Sequence, residues 1–518
     1  MNSIGLKMEG IVKDFPGVRA LDHVDFIVNK GEIHGLLGEN GAGKTTLMSV
    51  LCGLYRAEAG SVYLHDSNTD SEREVVISTP REAIVCGVGM VHQHFRLVQS
   101  QTVLENCILG IRDTNLVVDY KAIEKDIIEL GKRYGMEINP EAYIWELSVG
   151  EQQRVEILKM LYRDAEILIM DEPTAVLTPQ EARLLGETMK LMAIEDKTIV
   201  FITHKLDEVI EFTHRSTVLR DGKNVSTVDT GNITKRELAN LMVGRDVVFS
   251  IVRPNISPGD YVMEMRGVSV YDSRGVQTLK DIDIDVKSGE ILGVAGVSGN
   301  GQKELAEVAT GLVGCKNGSI YIGGRDMSDS SAGKFIKAGV SHIPGDRIGV
   351  GLVGNLPVSD NLILKSYQIK EICGGLLFNQ RFVHEYVDRL IDEYEVVTPG
   401  RDTLARNLSG GNQQKMVLAR EIESTYRCYD DTRLIVAVYP TRGLDVGATE
   451  FVRSRLVKQC SEGAGILMVS DDLEEIIAIS TRIAVMYSGY IVDVVKADCV
   501  TLEDLGMLMA GERPIDEI

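Results

Sequence analysis

Residues Gly38-Glu39-Asn40-Gly41-Ala42-Gly43-Lys44-Thr45 read G-x-x-x-x-G-K-T. The octet follows the apolar, strand-like run IHGLL and opens a helix-like stretch beginning with Thr46, the setting a phosphate loop requires. Its glycines let backbone N–H groups wrap phosphate oxygens, and the helix start adds the positive end of a dipole. In this chemistry Lys44 reaches the β- and γ-phosphates and Thr45 ligates Mg²⁺. A glycine-rich turn without a ligand is the bland alternative, and the strand and helix signals on either side weigh against it. The stretch predicts an α/β core that binds a nucleoside triphosphate.

Working outward, the chain repeats itself. ALDHVDFIVNKGEIHGLLGENGAGKTTL, from Ala20, aligns without a gap on TLKDIDIDVKSGEILGVAGVSGNGQKEL, from Thr278. LSVGEQQR from Leu147 matches LSGGNQQK from Leu408, and DEPTAVLTP around Pro173 matches VYPTRGLDVG around Pro440. Blocks recurring in one order at slowly drifting offsets mark a duplicated domain. The predicted units are 1–245 and 261–518. Between them, 246–260 carries RPNISPGDY, whose Pro and Gly fit a short extended linker. In each half, short buried-strand runs such as EILIMDEP and TIVFITH lead into turns and helix-like stretches. A mostly helical insert is expected over 95–163, and its counterpart over 346–429.

Further residues suit phosphoryl transfer. Asp171 ends the apolar run ILIM, where it can hold Mg²⁺; Glu172 follows and is placed to activate water as a general base. His204 sits just after IVFIT, and Gln93 lies within VHQHF. Alone, each has an ordinary structural reading; their order relative to the phosphate loop gives them weight. His92 and His94 form an H-x-H, but no neighbouring carboxylate or histidine completes a metal site.

With LSGGNQQK and LSVGEQQR the sequence resembles the ATP-binding cassette (ABC) ATPases over almost its whole length. The resemblance implies two tandem P-loop ATPase domains, each a RecA-like parallel-sheet core with a helical subdomain. It implies ATP and Mg²⁺ as the bound species. In that family the signature of one domain closes over ATP held by the phosphate loop of the other. Carried over residue by residue, Gln93 is the Q-loop glutamine and contacts Mg²⁺, Asp171 the Mg²⁺ aspartate, Glu172 the base and His204 the switch histidine. Phe15 matches the aromatic that stacks on adenine, and Ser409, Gly410 and Gly411 are the signature residues.

The second half has lost this chemistry. By alignment Gln302 replaces Lys44, Lys303 replaces Thr45, Val438 and Tyr439 replace Asp171 and Glu172, and Asp471 replaces His204. Gly345 falls where Gln93 would be and departs from the family's usual acidic residue. The second half nevertheless keeps the fuller signature, whereas the first has Val149 at its first glycine position. One competent site is therefore expected, from the first half's phosphate loop and the second half's signature, with the two halves pairing within one chain.

Bulk properties narrow the function. At 518 residues the chain needs at least two domains. A net charge of −21 argues against a protein that tracks nucleic-acid phosphates. The eight scattered cysteines form no CxxC pair. No apolar run approaches the roughly 20 residues of a membrane span, and MNSIGLKMEGIVKDF is no signal peptide. The expected location is the cytoplasmic face of the membrane, held peripherally by partners.

The phrases SGGNQQK and PTRGLDVGA resemble the ATPase subunit of monosaccharide and nucleoside importers, and MVHQHFRLV and DEPTAVLTPQE resemble its nucleoside branch. This implies two membrane-spanning permease subunits and, indirectly, an extracytoplasmic substrate-binding lipoprotein. A ribose- or galactose-type sugar is the alternative substrate. The rival of another class is a soluble fused ABC ATPase acting on ribosomes. Such proteins usually keep both sites intact and carry a long charged linker.

Overall fold

In the first half, five apolar runs form parallel strands and a sixth closes the edge antiparallel. The order across the sheet is Lys223–Asp229, Arg215–Arg220, Ile33–Leu37, Thr198–Ile202, Ile167–Asp171, Val88–Val91. In the second half the order repeats as Tyr490–Lys496, Arg482–Tyr487, Ile291–Gly296, Gly465–Val469, Leu434–Val438, Val340–Ile343. The computed structural model describes residues 3–16, 18–66, 71–92, 95–111, 119–174, 177, 179–246, 257–272, 274–297, 299–367, 369–375, 377–428 and 433–512. They belong to two units, Met1–Val247 and Val248–Ile518. Most of the expected linker lies outside the described residues.

These strands read as unbroken apolar runs because both faces are covered. Ile167 and Ile169 enter one core with Val200 and Ile202, while Leu168 and Met170 enter another with Ile199 and Phe201. The second unit alternates likewise: Leu434, Val436 and Val438 on one side, Ile435 and Ala437 on the other. A sheet sandwiched in this way has no polar face to show in its sequence.

Each unit also has a four-stranded antiparallel sheet that the sequence reading did not anticipate. In the first it runs Val18–Asn29, Ile4–Phe15, Ala59–Asp66, Ser71–Val75; in the second, Gln277–Lys287, Tyr261–Tyr271, Asn317–Ile322, Arg325–Asp326. The signal was present: Val24, Phe26 and Val28 are buried and alternate with Asp25, Ile27 and Asn29, the period-2 pattern of a half-buried strand. This sheet covers the phosphate-loop helix, since Leu6, Met8, Phe26, Leu47 and Leu51 share one core.

The helical inserts are as expected. Val103–Ile108, Tyr120–Arg133 and Val149–Tyr162 form the first, and Val358–Ile363, Gln380–Glu393 and Gly410–Cys428 the second. Among the described residues, no helix is long and apolar enough to cross a membrane.

Candidate functional site

The phosphate loop links the strand Ile33–Leu37 to the helix Lys44–Leu51. Gly43 caps that helix at φ 103°, a left-handed conformation costly for other residues. A Cβ there would also stand 2.8 Å from the Ala20 carbonyl oxygen. No side chain caps the helix start, so its first N–H groups remain suited to an anion. The Lys44 ammonium is buried and donates to the Gly38 and Glu39 carbonyls at 2.6 and 2.9 Å, holding the loop in shape. Thr45, exposed, and Thr46 stand on the first turn.

Asp171 ends its strand beside this loop. Burial pushes its carboxyl up to about 6, the neighbouring Glu172 charge adds to that, and Lys44 opposes it. A carboxylate in this position gains from a cation, and the donor set of Asp171 and Thr45 suits Mg²⁺. Glu172 is left-handed at φ 47°, and its N–H donates to the Ile202 carbonyl at 2.8 Å. That turns its side chain toward His204, whose Nδ1–H donates to Glu172 Oε1 at 3.0 Å. This bond, together with Lys44, holds the Glu172 carboxyl below the usual range despite burial.

Lys44, Asp171, Glu172 and His204 are thus brought together. Gln93 lies outside the described residues. Phe15 is half-buried at the end of its strand, with the Tyr55 ring edge-on at 5.2 Å and Lys13 above it. The sequence reading missed Glu208. It accepts from Thr174 Oγ1 at 2.6 Å and Thr203 Oγ1 at 3.2 Å, tying the turn after Glu172 to the turn before His204.

The second unit keeps this scaffold with different side chains. Gly301 caps the corresponding helix at φ 104°. Gln302 takes the lysine's buried place and donates from Nε2 to the Val297 carbonyl at 3.1 Å. Thr441 and Ser470 donate to Glu475 at 2.9 and 2.7 Å, the counterpart of the Glu208 tie. Gly345 faces Tyr439: a Cβ at 345 would stand 3.0 Å from the ring's Cδ2.

The two signatures differ further than the glycine count suggests. Ser148 donates from Oγ to the Glu151 carboxylate at 2.7 Å, in a capping box. Ser409 instead accepts from the Asn412 side-chain amide at 3.0 Å. The first signature therefore presents a carboxylate where the second presents a neutral amide. Glu151 against Asn412 was the signal in the sequence.

The ABC transporter family model matches residues 21–175 and again 279–427. The chain belongs to the ABC transporter family. It is an ABC-type ATPase with two ATP-binding cassettes. The chain is 45% identical to the guanosine import ATP-binding protein NupO of Bacillus subtilis, covering 98% of this chain and 97% of that one. It is 44% identical to the glucose import ATP-binding protein TsgD13 of Haloferax volcanii, over 98% and 96%. The nucleoside import ATP-binding protein NupA of Lactococcus lactis is 42% identical, covering 98% of this chain and 99% of that one. The archaeal ribosome recycling factor aABCE1 has a TM-score of 0.59 at 17% identity, covering 97% of this chain and 92% of its own. At that identity the likeness concerns the ABC fold alone.

Proposed function

We propose that this chain is the ATP-hydrolysing subunit of an importer and that it works through one composite ATP site. The observation that carries the reading is the pairing of end-to-end likeness to import ATP-binding subunits with the clustering of Lys44, Asp171, Glu172 and His204 among the described residues of the first half. The domains act as 1–245 and 261–518, joined by 246–260. The first half contributes Phe15 and residues Gly38 to Thr46 to the nucleotide, and the second contributes Ser409, Gly410 and Gly411.

In this mechanism Lys44 clamps the β- and γ-phosphates. Thr45, Asp171 and Gln93 would hold Mg²⁺, which would neutralise charge on the phosphates. Glu172 takes a proton from the water that attacks the γ-phosphorus, and the bond to the β-γ bridging oxygen breaks as the new P–O bond forms. In the structure the Glu172 carboxylate is held by His204. Moving the imidazole to the γ-phosphate frees that carboxylate for water and couples the base to the presence of ATP.

Two membrane-spanning permeases are the proposed partners, on the cytoplasmic face, receiving substrate from an extracytoplasmic binding lipoprotein. The segment after Gln93 and the helical inserts form the surface that receives them. The proposed cargo is a nucleoside, as the names of two full-length relatives suggest. A simple sugar is the second reading, favoured by the glucose import relative at 44% identity. No residue of this chain reads cargo, so the test lies with the binding protein. Calorimetry of that protein against adenosine, guanosine, inosine, ribose and galactose decides it. Tight binding of a monosaccharide with no response to any nucleoside replaces the cargo and leaves the ATPase reading intact.

A further inference from the structure

Arg347 follows the strand Val340–Ile343 through the short segment Pro344-Gly345-Asp346. Its guanidinium enters the space between two other segments of the second unit. Nη1–H donates to the Gly410 carbonyl at 3.4 Å. A Cβ at Gly410 would stand 3.5 Å from Nη1, and one at Gly443 would stand 3.6 Å from Nη2. The guanidinium therefore lies against the signature on one side and the turn after Pro440 on the other. We propose that Arg347 is a positioning residue that braces the second-half signature, holding Gly410 against the Gly443 turn so that Ser409 and Gly411 are set for closure on ATP.

This inference rests on the composite-site reading above. It is favoured by what surrounds the arginine. On its far flank the signature is already fixed, because Gln413 Nε2 donates to the Ala405 and Leu408 carbonyls at 3.2 and 3.1 Å. Gly411 packs on Ala448, in the first turn of the helix Val446–Ser461, at 3.2 Å from a built Cβ. That helix is capped by Asp445, which accepts from the Ala448 N–H at 2.8 Å. Toward Gly410, Arg347 adds a tie of its own, from its guanidinium to the Gly410 carbonyl. Burial lowers the Arg347 pKa; a guanidinium that gives up solvent gains from a fixed acceptor.

The first half has no equivalent. By alignment Phe95 stands for Arg347, Val149 for Gly410 and Val176 for Gly443. A valine at either position would extend beyond the Cβ into the guanidinium. The arginine and its two glycines form a set, and it occurs in the half whose signature is proposed to meet ATP. Preorganised donors lower a barrier only when they are held before the reaction starts.

The test uses the full-length chain with Arg347→Ala, Arg347→Lys and, as a control, Gly411→Asp. Three quantities are read: ATPase kcat and KM, nucleotide affinity by fluorescent ATP analogue, and ATP retention in the Glu172→Gln background. Arg347→Ala is expected to lower kcat and retention about tenfold or more while affinity changes less than about threefold. Arg347→Lys is expected to recover part of the loss, since an ammonium reaches one carbonyl without spanning both segments. Normal kcat and retention in Arg347→Ala, with both lost in Gly411→Asp, overturns the bracing role alone. Normal values in both variants overturn the composite-site reading and this inference with it. Loss in Arg347→Ala with Gly411→Asp unaffected means Arg347 acts elsewhere, which also overturns it. Equal loss of affinity and kcat, or an unfolded alanine variant with a folded and fully active lysine one, assigns Arg347 to general stability instead.

Discussion

Glu172 and Tyr439 occupy the same backbone position in the two halves. Each follows the end of its strand with a left-handed φ, 47° and 45°, and each donates its N–H to the neighbouring strand, to Ile202 and Val469. Duplication preserved the turn that aims the side chain while the side chain changed from a carboxylate to a phenol. The phenol's pKa is raised by burial, so it is no base at neutral pH. Glu172→Gln is expected to cut turnover by about a hundredfold or more while ATP still binds. Tyr439→Glu is expected to restore nothing, because Gln302 and Val438 still stand where a lysine and a Mg²⁺ carboxylate are needed. Steady-state phosphate release on both variants checks this; near-normal turnover in Glu172→Gln assigns the base to another residue.

The signatures should fail unequally. Gly411 packs against Ala448, but Gly150 packs against the Glu181 carboxylate, beside a serine already engaged with Glu151. An aspartate at 411 places a charge and a side chain in the signature proposed to meet the γ-phosphate. Gly411→Asp is expected to remove at least about nine-tenths of the ATPase activity, and Gly150→Asp distinctly less. Parallel assays of the two purified variants with their melting curves separate the cases, and equal loss at equal stability refutes the pairing.

Much of the candidate cluster was legible because phosphate chemistry fixes both residue type and local order. A lysine must follow a glycine turn at a helix start, and an aspartate must end a neighbouring strand. The Glu208 tie was not legible, since a glutamate on a short helix is ordinary until Thr174 and Thr203 are seen to converge on it. The antiparallel sheet was legible in the alternation of Val24, Phe26 and Val28, but the stronger phosphate-loop signal beside it drew the reading to the parallel core. Arg347 needed the structure altogether, because its partners Gly410 and Gly443 are distant in sequence.

The strand feeding the phosphate loop is anchored by a buried carboxylate. Glu32 accepts from Arg215 Nε and Nη2, both at 2.9 Å, and from His34 Nδ1–H at 2.7 Å. These partners outweigh burial and lower its pKa from 4.5 to about 2. A carboxyl depressed on folding contributes stability that is fully present above pH 4.5 and is lost as pH falls toward 2. Glu32→Gln is expected to cost on the order of 3 kcal/mol at neutral pH. The difference from wild type should shrink as pH falls through that window. Chemical denaturation at neutral pH and near pH 3 measures it; a gap that does not narrow assigns the loss to packing.

Gly345 and Tyr439 should prove coupled. A Cβ at 345 meets the ring's Cδ2 at 3.0 Å and the Val438 carbonyl oxygen at 3.4 Å, so an acidic residue there must displace the ring or the strand end. Overpacking of this kind typically costs about 1–3 kcal/mol. Gly345→Glu alone is therefore expected to destabilise the second unit by roughly 1–2 kcal/mol. In a Tyr439→Ala background the ring is gone and the glutamate enters the vacated space, so the same substitution should cost less. Residues in contact deviate from additivity by about 0.5–3 kcal/mol, whereas distant ones add. A four-way cycle of wild type, the two single variants and the double variant, followed by denaturant unfolding, gives the coupling directly. A coupling near zero means the backbone at 345 absorbs the side chain, and the glycine there is then unrelated to the tyrosine. A favourable coupling ties the bare glycine at 345, where the first half has Gln93, to the phenol at 439, where it has Glu172, one steric event accounting for two departures from the first half.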